Sequence, residues 1–305
     1  MIRSSLPTDL IAILFQDSSL CNRAKTKDNA GREEGRFSTI ATFLGQWLNP
    51  WGRRCTWVCI KRFSLRGLAS ARNRSSSQAW EIDCLLLDEQ DGECCSSLLE
   101  TLSLAGGELG VEKVFLRLPA ESPLLDAAKE AGFSPYTSER LYRWESEERR
   151  LASHGALSQS FPRRKQVGDE YRLFELYEKR VPVAIRRVEG ITFKQWQANR
   201  DRSVGKEWLF EKDSSLVGWL RVRASPDIGQ FEVMATPQGE LEPIVEFSLM
   251  RLKGCRYLLC LVPEFEGELS RLLEGRGFSQ VASYSVIVKE LVARAHEPCL
   301  MPLQA

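Results

Sequence analysis

Two glutamates occupy matching positions in two similar stretches of the chain. Each is the centre of a trio of aromatic, glutamate and aliphatic residues, Trp80-Glu81-Ile82 and Phe231-Glu232-Val233. If the trios lie in strands, alternation places each carboxylate on the face opposite its aliphatic neighbour, where a polar cleft can hold it. A carboxylate in such a place can accept a proton, or it can be a solvated ion-pair partner of Arg72 or Arg223 on a neighbouring strand.

Other side chains that carry chemistry are few or poorly spaced. The cysteines are odd in number and form no Cys-x-x-Cys pair, which argues against a disulfide framework or a zinc ribbon and favours a reducing compartment. The two histidines, His154 and His296, lie in polar stretches, so we expect no metal site and no Ser-His-Asp or Cys-His catalysis. The vicinal Cys94 and Cys95 can be a redox pair or simply the buried start of a helix.

Composition narrows the class of partner. The chain has 305 residues, 27% of them charged, and a formal net charge of +1. That balance favours neither nucleic acid nor an anionic membrane as a partner. The longest apolar runs, at residues 10–15 and 257–262, are far shorter than the roughly 20 residues of a membrane span. We expect a cytoplasmic protein with no membrane partner, and the oligomeric state stays open.

An internal repeat extends beyond the two trios. An Arg precedes an Asp by six residues near the start of each copy, as Arg3 and Asp9 and again as Arg163 and Asp169. Each Asp is predicted to be a helix N-cap. Later, residues 115–133 match residues 259–278, since both stretches contain a strand ending in Pro and a helix ending in Gly-Phe. The repeat predicts two domains in tandem.

Each copy is predicted to contain the same elements. An opening strand and two helices precede an antiparallel meander of three strands, which is followed by a helix, a strand, a helix and a terminal strand. In the first copy the early helices are expected near residues 8–20 and 37–48. The fold class is therefore α/β (α+β), with a first domain at residues 1–148, a linker at 149–162, a second domain at 163–292 and a tail at 293–305.

This order of elements, with Gly132-Phe133 closing the last helix, resembles the GNAT (acyl-CoA N-acyltransferase) family. The resemblance covers nearly the whole chain, twice. It implies two tandem domains, each with a mixed, mostly antiparallel sheet flanked by helices. It also implies transfer of an acyl group from acetyl-CoA or another acyl-CoA to a small-molecule amine.

The resemblance implies a pyrophosphate-binding loop, Gln/Arg-x-x-Gly-x-Gly/Ala, at the start of a helix. In copy one the matching window is Gln90-Asp91-Gly92-Glu93-Cys94-Cys95, where Glu93 and Cys95 replace both glycines. Its cofactor-binding candidates are Gln90, Cys94 and Cys95. The four nearby carboxylates would repel a pyrophosphate, or they simply cap the helix: Asp88, Glu89, Asp91 and Glu93. In copy two the window runs from residue 238 to Pro243, which lacks an N–H group.

Two further features of the family concern catalysis. A general base is implied on the fourth strand, where Glu81 and Glu232 are the candidates. A tyrosine that protonates the departing thiolate is implied five residues before the Gly-Phe phenylalanine, but Ala128 and Leu273 stand there. Two functions follow from this mixture. One is a GNAT-like acyltransferase with weak or no activity, and the other is a non-catalytic module that binds an unknown ligand or a protein through the cleft between the copies.

Overall fold

A computed structural model provides the fold of the protein. It describes residues 1–14, 20–31, 54–61, 64–145, 162–201, 204–237 and 241–291. Several predictions lie outside these ranges: the helix at residues 37–48, nearly all of the linker at 149–162, the tail at 293–305, and the two histidines.

The first copy contains a meander with helices packed on it. Its strands are β1 (Ile2–Ser4), β2 (Cys21–Asn22), β3 (Arg54–Lys61), β4 (Ser64–Asn73), β5 (Ala79–Leu87), β6 (Lys113–Pro119) and β7 (Ser134–Glu145). Its helices within the described residues are α1 (Asp9–Leu14), α2 (Gly92–Glu108) and α3 (Leu124–Glu130).

The second copy repeats this order. Its strands are β8 (Pro162–Arg164), β9 (Lys206–Lys212), β10 (Ser215–Ala224), β11 (Ile228–Ala235), β12 (Tyr257–Pro263) and β13 (Ser279–Glu290). Its helices are α4 (Glu170–Arg180), α5 (Val183–Glu189), α6 (Phe193–Asn199), α7 (Leu241–Arg251) and α8 (Gly267–Gly275). Sequence patterns did not predict β2 or α5. They predicted an opening strand in copy two without its position, and β8 is that strand; the other described elements agree with expectation to within a few residues.

All described strands belong to one sheet. Its order is β1-β3-β4-β5-β6-β13-β7-β12-β11-β10-β9-β8, and β2 pairs separately with β5. The pairs β5–β6 and β11–β12 are parallel, and the other pairs are antiparallel. The predicted fold class, two copies with a mixed and mostly antiparallel sheet flanked by helices, is confirmed.

The last strand of each copy pairs with the other copy. Strand β13 lies against β6, with Tyr284 opposite Pro119, and β7 lies against β12, with Tyr257 opposite Glu145. The two exchanged strands also pair with each other at the centre of the sheet. Sequence patterns did not reveal this exchange, because they locate strands but not their partners. The domain boundaries at residues 148 and 163 stay a prediction.

Helices cover both faces of the sheet in each copy. In copy one, α2 and α3 bury Leu98, Leu102 and Ala128 on one face, and Ile13 of α1 packs on the other. In copy two, α7 and α8 bury Ile244 and Leu273 on one face. On its other face, α4 and α6 form an aromatic cluster with the sheet: Phe174, Tyr177, Trp196 and Trp219. No helix in the described parts of the chain is long and apolar enough to span a bilayer.

The repeated Arg and Asp have the same contacts in both copies. Arg3 donates two hydrogen bonds to Asp9, at 2.8 and 2.6 Å, and Arg163 donates two to Asp169 at the same distances. Each Asp also accepts the N–H of the residue three positions before it, at 2.7 Å. Asp169 lies at the N-cap position of α4 as predicted, although its side chain makes no capping bond to that helix, whereas Asp9 is the first residue of α1. Both carboxylates instead bind the arginine and the preceding turn.

The Gly-Phe ends of the last helices are confirmed as helix stops. Gly132 and Gly277 have φ angles of +85° and +86°, the left-handed region that glycine adopts without strain. In both copies the following phenylalanine donates its N–H back to the helix, from Phe133 to Ala128 and from Phe278 to Leu273, at 3.0 Å. The chain then turns directly into the exchanged strand.

Candidate functional site

Each copy has a gap in its sheet where two parallel strands stop pairing. Strand β5 pairs with β6 only from Ala79 to Glu81, and β11 pairs with β12 only from Ile228 to Phe231. Beyond these points the backbone groups that face the gap need other hydrogen-bond partners. Glu81 is the last paired residue of β5, and Glu232 directly follows the last paired residue of β11. The repeat thus places both candidate carboxylates at the mouth of a gap.

In copy one the chain itself fills this gap. We call residues 20–31 the strap. Cys21 and Asn22 pair with the end of β5, and the N–H of Arg23 donates to the carbonyl of Leu85 at 2.8 Å. On the other side, the N–H of Lys25 donates to the carbonyl of Arg117 at 2.9 Å. The strap therefore bonds to both strands that border the gap.

The strap then crosses to copy two. Lys27 Nζ lies 3.2 Å from Glu232 Oε2, although the two residues are 205 positions apart. The amide of Gln230 donates to the carbonyl of Lys27 at 2.5 Å, and Arg223 forms a 2.7 Å ion pair with Asp28. One segment of copy one thus contacts the carboxylate that copy two presents.

Glu81 is buried among arginines. It is only 2% exposed, and it accepts hydrogen bonds from Arg72 at 2.8 and 3.2 Å. Arg74 and Arg117 each approach it to 3.9 Å. Burial and the nearby carboxylate of Asp201 raise the pKa of Glu81 despite these arginines. The ion pair with Arg72 is confirmed, but it is buried rather than solvated.

Glu232 has a different set of partners. Its carboxylate lies 3.2 Å from Arg221 as well as 3.2 Å from Lys27. Burial opposes ionisation, but Lys27 and Arg221 outweigh it and lower the pKa of Glu232 to about 2. The predicted pairing with Arg223 is wrong. Three residues join β10 to β11 and five join β4 to β5, so Arg221 rather than Arg223 lies opposite Glu232. A carboxylate with so low a pKa is a weak base at neutral pH.

Asp201 is one of the site residues that sequence reasoning missed. Its side chain is only 8% exposed, and its nearest ion-pair distance is 3.9 Å, to Arg72. Neither of its carboxylate oxygens accepts a hydrogen bond from any described residue. Burial opposes ionisation, but Arg74, Lys27 and other cations lower the pKa of Asp201 to about 2. Its surroundings in sequence are polar and match nothing in copy one, so no local signal distinguishes it from a surface loop.

A cavity of about 180 Å³ opens beside these carboxylates, between the two copies. Among the described residues, its wall carries equal numbers of cationic and anionic side chains. The cations are Lys27, Arg74, Arg117, Arg200 and Arg221, and the anions are Glu139, Glu189, Asp201, Glu232 and Glu266. Copy one provides the first three cations and Glu139. The cavity is therefore polar and formed jointly by the two copies.

Helix α5 contributes a further carboxylate to the cavity. Glu189, the last residue of α5, accepts hydrogen bonds from Tyr136 at 3.2 Å and Tyr177 at 3.4 Å. Burial raises the pKa of Glu189, and it also raises the pKa of both tyrosines. Across the cavity, Arg117 donates to Glu139 at 2.7 Å. Most ionic groups of the wall thus have partners within the wall, whereas Asp201 accepts no hydrogen bond there.

Comparison with solved structures identifies the fold. A GCN5-related N-acetyltransferase from Sphaerobacter thermophilus matches with a TM-score of 0.56 and 15% identity, covering 95% of each chain. A tandem GNAT protein from the clavulanic acid biosynthesis pathway matches with a TM-score of 0.54 and 12% identity, covering 82% of this chain and 87% of that one. The chain has a tandem GNAT fold. No family model matches the sequence, and no curated protein matches it.

Within the GNAT fold of copy one, the start of α2 is the loop window. Asp91 accepts the N–H of Cys94 at 3.2 Å and pairs with Arg66 at 2.6 Å, so this carboxylate caps the helix as the simpler interpretation predicts. Gln90 is exposed, whereas Cys94 and Cys95 lie in the core at 6% and 0% exposure. Burial raises the pKa of Cys95 to about 12, which disfavours a reactive thiolate. A cofactor role for Gln90, Cys94 and Cys95 stays a prediction.

The other GNAT features can be located in part. In copy two, residues 238–240 of the window lie outside the described residues, and Pro243 lies in the first turn of α7. Ala128 and Leu273, which stand where the thiolate acid is expected, are fully buried in the two cores. Their side chains carry no proton that a leaving group could take.

Proposed function

We propose that this chain is a non-catalytic GNAT-fold protein that binds a small polar ligand in the cavity between its two copies. The structural neighbours support the acyltransferase family at the level of the fold. The proposal differs from the activity that the fold suggests because of what surrounds the two gaps.

The strap is the observation that carries the proposal. In copy one it takes up backbone hydrogen bonds of both strands at the gap, through Arg23 and Lys25. In copy two its Lys27 neutralises the carboxylate of Glu232. The strap thus argues against catalysis in both copies. It occupies the gap of copy one, and its Lys27 pairs with the carboxylate at the gap of copy two.

The charges of the two glutamates support the proposal as well. A general base works best when its pKa lies near the operating pH and when it can reach the proton it takes. Glu232, with a pKa of about 2, has little affinity for a proton at pH 7. Glu81 has a raised pKa, but it is 2% exposed and bonded to Arg72. Neither glutamate combines affinity for a proton with access to a substrate.

Thermal denaturation with and without acetyl-CoA tests the proposal. A ligand at 1 mM with a Kd near 10 μM stabilises a native state by about 2.7 kcal/mol and raises Tm by several degrees. We expect a shift below about one degree, because copy one lacks its loop glycines and the strap fills its gap. A shift of about three degrees or more would contradict the proposal.

A second candidate, an acyl-CoA-dependent acyltransferase acting through copy two, has one observation in its favour. The cavity lies where β11 and β12 stop pairing, and Glu232 and Pro263 both line it. An acyl group in the gap of copy two could then reach an amine in the cavity. The same acetyl-CoA measurement distinguishes the candidates, since this one requires the large shift.

A further inference from the structure

We infer that the ligand of the cavity is a small zwitterion of the α-amino acid class, with its ammonium bound by Asp201 and its carboxylate bound by Arg74 and Trp219. This inference rests on the proposed function, which supplies the cavity as a binding site. It goes further by naming the chemistry of the ligand and the residues that recognise each end.

Asp201 supplies the acceptor. Its side chain is more than nine-tenths buried and lines the cavity, yet neither oxygen accepts a hydrogen bond within the described residues. A buried polar group without a hydrogen bond is costly, so an unsatisfied carboxylate on a residue that lines a cavity indicates a missing donor. The arginine nearest to it, Arg72, is 3.9 Å away and gives its hydrogen bonds to Glu81. A ligand ammonium has three N–H donors, enough to satisfy both oxygens of Asp201.

Two buried donors on the same wall also lack acceptors. Arg74 donates through Nη1 to the carbonyl of Asn199 at 2.9 Å, but its Nε–H has no acceptor in the described residues. The indole Nε1–H of Trp219 likewise has none, and Trp219 is only 7% exposed. Both side chains line the cavity. A carboxylate is the common acceptor that could satisfy an arginine and an indole together.

The described charges of the wall favour a ligand with no net charge. Among the described residues, five cations and five anions line the cavity, so a purely cationic or purely anionic ligand would upset their balance. A zwitterion adds one charge of each sign and preserves the balance. Its two ends also match the two kinds of unsatisfied group, an acceptor and a pair of donors.

The size of the cavity indicates how large a molecule it can hold. A cavity of about 150 Å³ in another protein holds benzene, which has six heavy atoms. At about 180 Å³, this cavity fits a molecule of roughly six to ten heavy atoms. Free amino acids of moderate size lie in this range, whereas a peptide or a nucleotide does not.

Thermal denaturation with free amino acids tests the inference. Each of the standard L-amino acids is added at 10 mM to the full chain, and every one that raises Tm is then compared with two analogues that keep its side chain. One analogue lacks the carboxylate and the other lacks the ammonium, as 3-methylbutylamine and 4-methylpentanoate do for leucine. We expect at least one neutral amino acid to raise Tm by about two degrees or more, and neither of its analogues to do so.

Two variants assign the ends of the ligand. Asp201→Asn removes the charge that binds the ammonium. It should raise the Kd for the amino acid by about 10-fold or more, as measured by calorimetry. Asp213→Asn is its matched control, since Asp213 lies in an exposed turn with φ of 51°, which Asn tolerates. If Asp201→Asn does not fold, Trp219→Phe removes the indole donor but keeps an aromatic six-membered ring, and it should weaken binding of the amino acid similarly.

The outcomes separate this inference from the proposed function. An equal shift with the amine analogue, or full affinity in both Asp201→Asn and Trp219→Phe, would overturn the zwitterion and leave a ligand-binding cavity in place. No shift with any amino acid overturns it too. A shift with acetyl-CoA alone would instead overturn the proposed function itself.

Discussion

The two copies place a glutamate at the same point of the fold and surround it differently. In copy one the gap beside Glu81 is filled by Cys21, Asn22 and Lys25 of the strap, and the carboxylate lies among arginines. In copy two the gap beside Glu232 borders an open cavity. A repeated motif therefore fixes where a side chain lies, whereas non-repeated segments such as the strap decide what it can do.

The same difference appears in the protonation of the two carboxylates. Burial and Asp201 raise the pKa of Glu81, and Lys27 with Arg221 lowers the pKa of Glu232 against its own burial. Asp201 lies close enough to affect both glutamates. The two equivalent sites thus form one connected set of buried charges across the copies, and their ionisation is coupled.

The largest effect is expected from separating the copies. Residues 1–148 and 163–292, expressed apart, should each fail to form a stable monomer, because β6 loses β13 and β12 loses β7. Each half should stay unfolded or self-associate, and mixing the two should restore the native circular dichroism spectrum. Cleavage of the intact chain within residues 149–162 is the control, since the nicked halves should stay together in size-exclusion chromatography.

A half that is monomeric in solution and unfolds cooperatively at the temperature of the intact chain would break this prediction. It would mean that each copy can close its own sheet, so the exchange would have little energetic weight.

A smaller effect, with opposite pH dependence in the two copies, is expected from removing each glutamate. Glu232→Gln leaves Lys27 and Arg221 without their buried partner and should lower the free energy of unfolding by about 3 kcal/mol at pH 7. A pKa lowered in the native state stabilises the protein above the unfolded value, near 4.5, and that stabilisation is lost as the pH falls towards 2. The loss caused by Glu232→Gln should therefore grow from pH 3 to pH 7.

Glu81→Gln is the matched variant in copy one. A raised native pKa stabilises the protein below the unfolded value and ceases to do so as the pH rises through the native value. The loss caused by Glu81→Gln should therefore shrink from pH 3 to pH 7. Urea unfolding at the two pH values measures both trends, and parallel trends in the two variants would refute the difference between the copies.

The smallest effect concerns the strap. Asn22 Oδ1 accepts the N–H groups of Leu85 and Ala24, at 2.9 and 3.1 Å. Asn22→Ala leaves the fully buried N–H of Leu85 without its acceptor and should cost about 1–3 kcal/mol in urea unfolding. The exposed Gln90→Ala should change stability by less than about 0.5 kcal/mol. Equal stability of the two variants would show that the strap is weakly held in the gap.

Local patterns predicted the elements and the position of both glutamates. Period-two alternation and the Gly-Phe helix ends depend on neighbours in sequence, and these were sufficient for β3 to β6 and for β9 to β12. The pairing of Glu81 with Arg72 was also within reach, because a hairpin joins their strands. Predicting Arg223 as the partner of Glu232 failed because the two hairpins differ in length.

The rest of the site depends on contacts that no local pattern encodes. Lys27 reaches Glu232 across 205 positions, and Arg74 reaches the carbonyl of Asn199 across 125. Asp201 has no counterpart in copy one, so the repeat gave no reason to select it. The strap was missed because β2 is only two residues long and lies in a polar stretch.

Because the last strands are exchanged, copy one cannot complete its strand pairing until the end of copy two has been synthesised. Ser134 of β7 and Val288 of β13 are 154 positions apart and adjacent in the sheet. At about 5–20 residues per second, roughly 10–30 s pass between their emergence. During that interval β6 and β7 of the nascent chain lack their native neighbour, and an unpaired strand edge invites pairing with other chains. Copy one therefore depends on the last strand of copy two to end its exposure, and a ribosome that pauses within the second copy would prolong its risk of aggregation.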